Sequence, residues 1–111
     1  MFDGEYKNRK KHGKGKQYIG EDNLSFEGEY FNGQKCGKGK EYYAKGQLYY
    51  EGEYFFDDFN GEGKEYDYNG FIEYEGGFLD GKRFGRGKLY RKGIYLYEDI
   101  FNEIEEIKIY E

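Results

Sequence analysis

The stretch FEGEYFNGQKCGKGKEYY, from Phe26 to Tyr43, alternates with a period of two on both sides of Asn32-Gly33. Phe26, Gly28 and Tyr30 share one face of an extended chain, while Glu27 and Glu29 share the other. Asn-Gly between two such runs is a hairpin signal, and CGKGKEYY reads as the returning strand. A four-residue turn pairs Phe31 with Cys36, Tyr30 with Gly37 and Gly28 with Gly39. Glu27 then faces Lys40, an opposite-charge cross-strand pair worth about 0.2–1 kcal/mol. A two-residue turn would instead set Glu51 against Glu62 in the equivalent third hairpin, so the four-residue turn is the preferred register.

The same pattern recurs every 24 residues along the 111-residue chain. FDGEY, FEGEY, YEGEY and YEGGF begin at Phe2, Phe26, Tyr50 and Tyr74, and HGKGK, CGKGK, NGEGK and FGRGK begin at His12, Cys36, Asn60 and Phe84. The chain divides into units 2–25, 26–49, 50–73 and 74–96. Asp3–Lys16, Glu51–Lys64 and Glu75–Lys88 repeat the Glu27–Lys40 pairing. Each unit is one β-hairpin plus a linker, so the fold class is all-β: four consecutive antiparallel hairpins in an elongated open sheet or groove. One hairpin is marginal in water, and an array of them is cooperative. At about 4.8 Å per strand, four hairpins span roughly 40 Å.

This pattern accounts for an odd composition: 19 Gly, 15 Tyr and 10 Phe, with no Pro and no Trp. Aliphatic residues are too few for a conventional core. The core must be rings lying over bare glycine backbone, stacked in columns from repeat to repeat. Tyr42 and its equivalents fall on the charged face if alternation is unbroken, and return to the aromatic face if a bulge follows the second glycine. Residues 97–111 open like a fifth repeat (Tyr97, Glu98, Phe101) without its glycines. They read as a degenerate fifth repeat or a cap, either a strand or a helix carrying Ile100, Ile104 and Ile107 with Asp99 as N-cap.

The pattern of aromatic-x-Gly-Glu-Tyr, Asn-Gly and a Gly-Lys-Gly-Lys return, at Phe2 to Tyr18 and Phe26 to Tyr43, resembles the MORN repeat (membrane occupation and recognition nexus). The resemblance covers about residues 2–96. FFDDFNG in the third turn and Gly77 in place of Glu depart from it. It implies a single-layer or groove-shaped sheet that binds proteins or lipids. GKGKEYYAKGQLYYEGEY is also similar to a variant found in small bacterial proteins described as antitoxins, which implies an antitoxin or immunity role as a further alternative.

Catalysis and cofactors are not expected. His12 and Cys36 are the only His and Cys, and they occupy one repeat position about 10 Å apart, too far for a dyad or a shared metal. Ser25 has no basic partner, and Asp57–Asp58 and Glu105–Glu106 read as solvated charge. The Gly-Lys-Gly-Lys strings lack the strand-to-helix context of phosphate loops. With a net charge of −5, nucleic acid is not an expected partner. A cytoplasmic protein, or one peripheral to a membrane, is the expectation from a single Cys and no apolar leader.

Two binding surfaces are candidates. The first is the pair of aromatic columns, Phe2, Tyr6, Phe26, Tyr30, Tyr50, Tyr54, Tyr74 and Phe78. They would take a peptide or helix of a protein partner, or self-associate, as a scaffold module. The second is two basic clusters, Lys7, Arg9, Lys10, Lys11 and Lys14, and Lys82, Arg83, Arg86, Arg91 and Lys92. These would meet an anionic phospholipid or phosphoinositide headgroup. The third unit, between them, carries a net charge of −7.

Overall fold

A computed structural model describes residues 1–101. They form one antiparallel sheet of nine strands in sequence order: β1 (Phe2–Lys7), β2 (Lys10–Ile19), β3 (Asn23–Phe31), β4 (Gln34–Tyr42), β5 (Leu48–Phe55), β6 (Asp58–Tyr66), β7 (Ile72–Leu79), β8 (Lys82–Arg91) and β9 (Ile94–Phe101). Odd strands open each repeat and even strands return. The molecule measures 47 × 32 × 20 Å, the long dimension expected of stacked hairpins.

The charge pairs hold, but the turn does not. Glu27 pairs with Lys40 and Gly28 with Gly39, yet Tyr30 pairs with Lys35 and Phe31 with Gln34. The turn therefore has two residues, Asn32 and Gly33, both at positive φ (49° and 88°), which suits the twist of the flanking strands. The surplus is taken up by a bulge in which Cys36, Gly37 and Lys38 stand opposite Glu29 alone. The bulge keeps Glu62 from facing Glu51, which was the objection to the short turn. The same turn and bulge recur in the other three hairpins. At each bulge the odd-strand glutamate folds onto the loosened backbone. Glu5 Oε2 accepts from Lys14 N–H (2.8 Å), Glu29 Oε2 from Lys38 N–H (2.9 Å) and Glu53 Oε2 from Glu62 N–H (2.7 Å). Gly77 breaks this series in the fourth repeat.

The rings lie over glycine as the composition implies. Phe26, Tyr30, Tyr50, Tyr54, Tyr74 and Phe78 are buried and form the core. Each first-column ring meets the second-column ring of its own hairpin edge-on, as in Phe26–Tyr30 at 5.4 Å. It also meets that of the next hairpin, as in Phe26–Tyr54 at 5.1 Å. Phe101 completes the series against Tyr74 at 5.4 Å. Such contacts add about 0.5–1.5 kcal/mol each beyond area burial.

The C-terminal expectation divides. β9 is the opening strand of a fifth repeat, with Glu98 opposite Lys88. Asp99 caps no helix: it lies within β9, its carboxylate accepting from Ile100 N–H at 2.8 Å. Ile104 and Ile107 lie outside the described residues.

Burial raises the tyrosine phenols. Tyr30 is pushed up to about 12, first by burial and then by the Asp57 and Glu41 carboxylates. Burial also raises Tyr50 and Tyr54. Unfolded phenols ionise near about pH 10, so above that pH the unfolded chain binds fewer protons and stability falls as pH rises. The protein should keep its far-UV CD signal to about pH 10 and lose it between about 10 and 12, with the phenolate absorbance of the buried Tyr30, Tyr50 and Tyr54 appearing in that transition. Full phenolate absorbance from every tyrosine with the CD signal intact would contradict buried rings.

Candidate functional site

The two faces of the sheet differ. On the aromatic face, a side chain from each returning strand closes over the first-column ring. Lys11 Nζ stands 4.7 Å from the Phe2 centroid, and Lys35 Nζ stands 4.5 Å from that of Phe26. Phe59 stacks on Tyr50 at 3.7 Å, and the Arg83 guanidinium lies 4.6 Å from Tyr74. These covers are themselves held: Lys11 donates to Gln17 Oε1 (2.8 Å), Lys35 to Glu41 Oε1 (3.2 Å) and Arg83 Nε to Glu65 Oε1 (2.7 Å). The aromatic columns are therefore not an open binding surface. Phe26, Tyr30, Tyr50, Tyr54, Tyr74 and Phe78 are core, and Phe2 is half-buried; of the eight, Tyr6 alone is exposed.

The opposite face carries a groove of about 1180 Å³, running from Asp3 in β1 to Glu75 in β7. Its floor is glycine backbone and its lining alternates in sign. Glu27 pairs with Lys16 on one side and Lys40 on the other, and Glu51 with Lys40 and Lys64. Like charges are thus kept apart along the row from Asp3 to Glu75. The third repeat interrupts the base row, with Glu62 where Lys14 and Lys38 stand. Glu62 faces Gly77, so the missing glutamate there removes a like-charge pair.

Further side chains share this face outside the groove's lining. Alternation stays unbroken through GKGKEY, which puts Tyr42, Tyr66 and Tyr90 on the charged face. Their hydroxyls donate to Glu27 (2.6 Å), Glu51 (2.5 Å) and Glu75 (3.0 Å). Phe31 and Phe55, each next to a core tyrosine, point to the same face at the hairpin tips and are half exposed. Phe31 touches His12, ring centroids 5.2 Å apart. His12 and Cys36 sit on successive bulges, as their shared repeat position requires.

The basic clusters do not converge. Lys7, Arg9 and Lys10 are exposed at the β1–β2 tip, while Lys11 covers Phe2 and Lys14 lines the groove. Lys82 and Arg83 lie at the β7–β8 tip, six strands or about 29 Å away. Arg86 is exposed on the fourth bulge, and Arg91 and Lys92 flank the β8–β9 turn on the opposite margin of the sheet. The glutamate-capped bulges and the covering column Lys11, Lys35, Phe59, Arg83 were missed in the sequence. Both were signalled by recurrence at 24 residues, but Lys11 and Arg83 read as members of the basic clusters and Lys35 as a turn residue.

A family model described as MORN repeat matches residues 2–21, 26–48, 50–71 and 74–95. No curated protein matches the chain.

Proposed function

The chain belongs to the MORN-repeat family, and from that premise we propose that it is a non-catalytic interaction module that seats a segment of a protein partner along the charged groove. The observation that carries this reading is the groove itself: about 1180 Å³ of concave surface with a glycine floor and charges in fixed register. Ligand sites are concave, and placed polar groups within them fix a ligand's orientation. The half-exposed Phe31 and Phe55 stand on the same face, and aromatic residues of this kind anchor protein interfaces. The proposed location is the cytoplasm.

Photo-crosslinking from position 31 or 55 in the source cell should trap peptides of one protein. Lys38→Gln with Lys40→Gln, which removes the charges without setting acids against acids, should abolish the trapping while leaving the CD spectrum unchanged. If the chain instead sediments with vesicles containing phosphatidylserine but not with neutral ones, and Arg9→Glu with Lys10→Glu releases it, the lipid reading replaces this one.

A further inference from the structure

We infer that the outer edge of β1 docks an extended segment of another protein with the pattern base-x-Gly-base-Gly-base. The pattern comes from the molecule's own interfaces. Every interior odd strand lies between two even strands that supply bases to its acids. Glu27 pairs with Lys16 and Lys40, and Glu75 with Lys64 and Lys88. Glu29 faces Lys14, and Glu53 faces Lys38. In β1, Asp3 pairs with Lys16 on the inner side alone, and no described strand faces Glu5 from outside.

Tyr6 reports the same missing neighbour independently. It is 59% exposed, while its counterparts Tyr30, Tyr54 and Phe78 are 4–5% exposed. Those counterparts lie opposite Gly13, Gly37 and Gly61 of the preceding even strand. A side chain of that strand covers the ring: Lys11 Nζ stands 5.5 Å from Tyr30, Lys35 Nζ 5.9 Å from Tyr54, and the Phe59 ring 5.7 Å from Phe78. The strand that would complete β1 therefore reads like KHGKGK at Lys11 to Lys16 or RFGRGK at Arg83 to Lys88.

A second copy does not fit this edge. Its β1 would bring Asp3 and Glu5, and its β9 Glu98 and Asp99, against the acids of β1. β9 is also closed to extension in the array's register. Asp99 occupies the column of Gly4, Gly28, Gly52 and Gly76, where a Cβ stands 2.5–2.6 Å from the next strand's glycine Cα. The edge on β1 is thus the receptive one, and a basic strand is its complement.

The probe is a fluorescein-labelled, blocked peptide KRFGRGKLYR, titrated into the full chain by anisotropy. Saturable one-to-one binding is expected, weakening by about tenfold or more between low salt and about 0.5 M. Hydrogen exchange should slow at β1 amides and not at β9. Asp3→Lys and Tyr6→Ala should each weaken binding by about tenfold, with exchange in β3–β8 unchanged as proof of folding. A permuted peptide of the same composition with its glycines displaced should bind about tenfold more weakly; equal binding would mean charge alone and overturn the inference. Protection at β9 would also overturn it, as would binding lost in Glu51→Gln, in the groove, but kept in Tyr6→Ala, outside it. The last result would move the peptide into the groove and leave the groove reading intact. A dimer in sedimentation that Asp3→Lys dissociates would assign the edge to self-association and end the proposal.

Discussion

Gly52→Ala is expected to destabilise the protein by about 3 kcal/mol or more, the upper range for an extra methylene forced into a packed interior. A Cβ there would stand 2.5 Å from Glu62 O and 2.5 Å from Gly63 Cα. Both are backbone atoms of the paired strand, so the clash cannot be relieved by turning a side chain. β5 and β6 would have to separate at the point where Tyr50 lies across them, its hydroxyl 2.6 Å from the same Cβ. Gly46→Ala is the control. Gly46 is at φ +96 with nothing within 4 Å, so that change carries only backbone strain of about 1 kcal/mol. Urea unfolding separates the two. With a slope of about 2 kcal/mol/M, Gly52→Ala should lower the midpoint by about 1.5 M, three times the effect of Gly46→Ala. Equal shifts would mean that glycine serves this sheet through conformational freedom rather than close approach.

That distinction bears on how much the sequence could disclose. The hairpins, the facing of Glu27 and Lys40, and the rings over glycine were legible because four copies said the same thing. The turn was not, because two valid signals conflicted. Asn32-Gly33 asked for a two-residue turn, and the acid-base pairing asked for a longer one. A bulge at Cys36 to Lys38 satisfies both, and its only local mark is Gly37, at φ +100 under the Glu29 carboxylate. The aromatic columns read as exposed for a related reason. A single-layer sheet of rings reads as an open aromatic groove until Lys11, Lys35 and Arg83 are seen to close it. Lys35 looked like a turn residue; the bulge moves it into the strand and over Phe26. The groove then falls to the other face, where the alternating charges had been read only as cross-strand pairs that set the register.

The covering column also explains why the third repeat should be the most sensitive point in the array. Tyr50 is 0% exposed and touches Phe59 (3.7 Å, stacked), Tyr54 (5.3 Å) and Phe78 (5.2 Å). Its hydroxyl donates to Glu53 O at 2.8 Å. The ring thus bridges β5, β6 and β7, where the other repeats have a cation rather than Phe59 on the ring. Tyr50→Ala should cost about 4 kcal/mol, the middle of the range for removing a buried aromatic side chain. Of a total stability of about 5–15 kcal/mol, that removes between about a quarter and four-fifths. Because each repeat is stabilised by its neighbours, the loss should weaken the array on both sides at once. Tyr50→Phe keeps the ring and gives up one hydrogen bond, at about 1 kcal/mol; Phe26 already fills this column in the second repeat. Phe2→Ala, at the half-buried start of the column, should cost less than half as much as Tyr50→Ala. The three variants are compared by thermal and urea unfolding. If Tyr50→Ala proved no worse than Phe2→Ala, the rings would be acting as independent surface groups, and the stacked columns would not be the core.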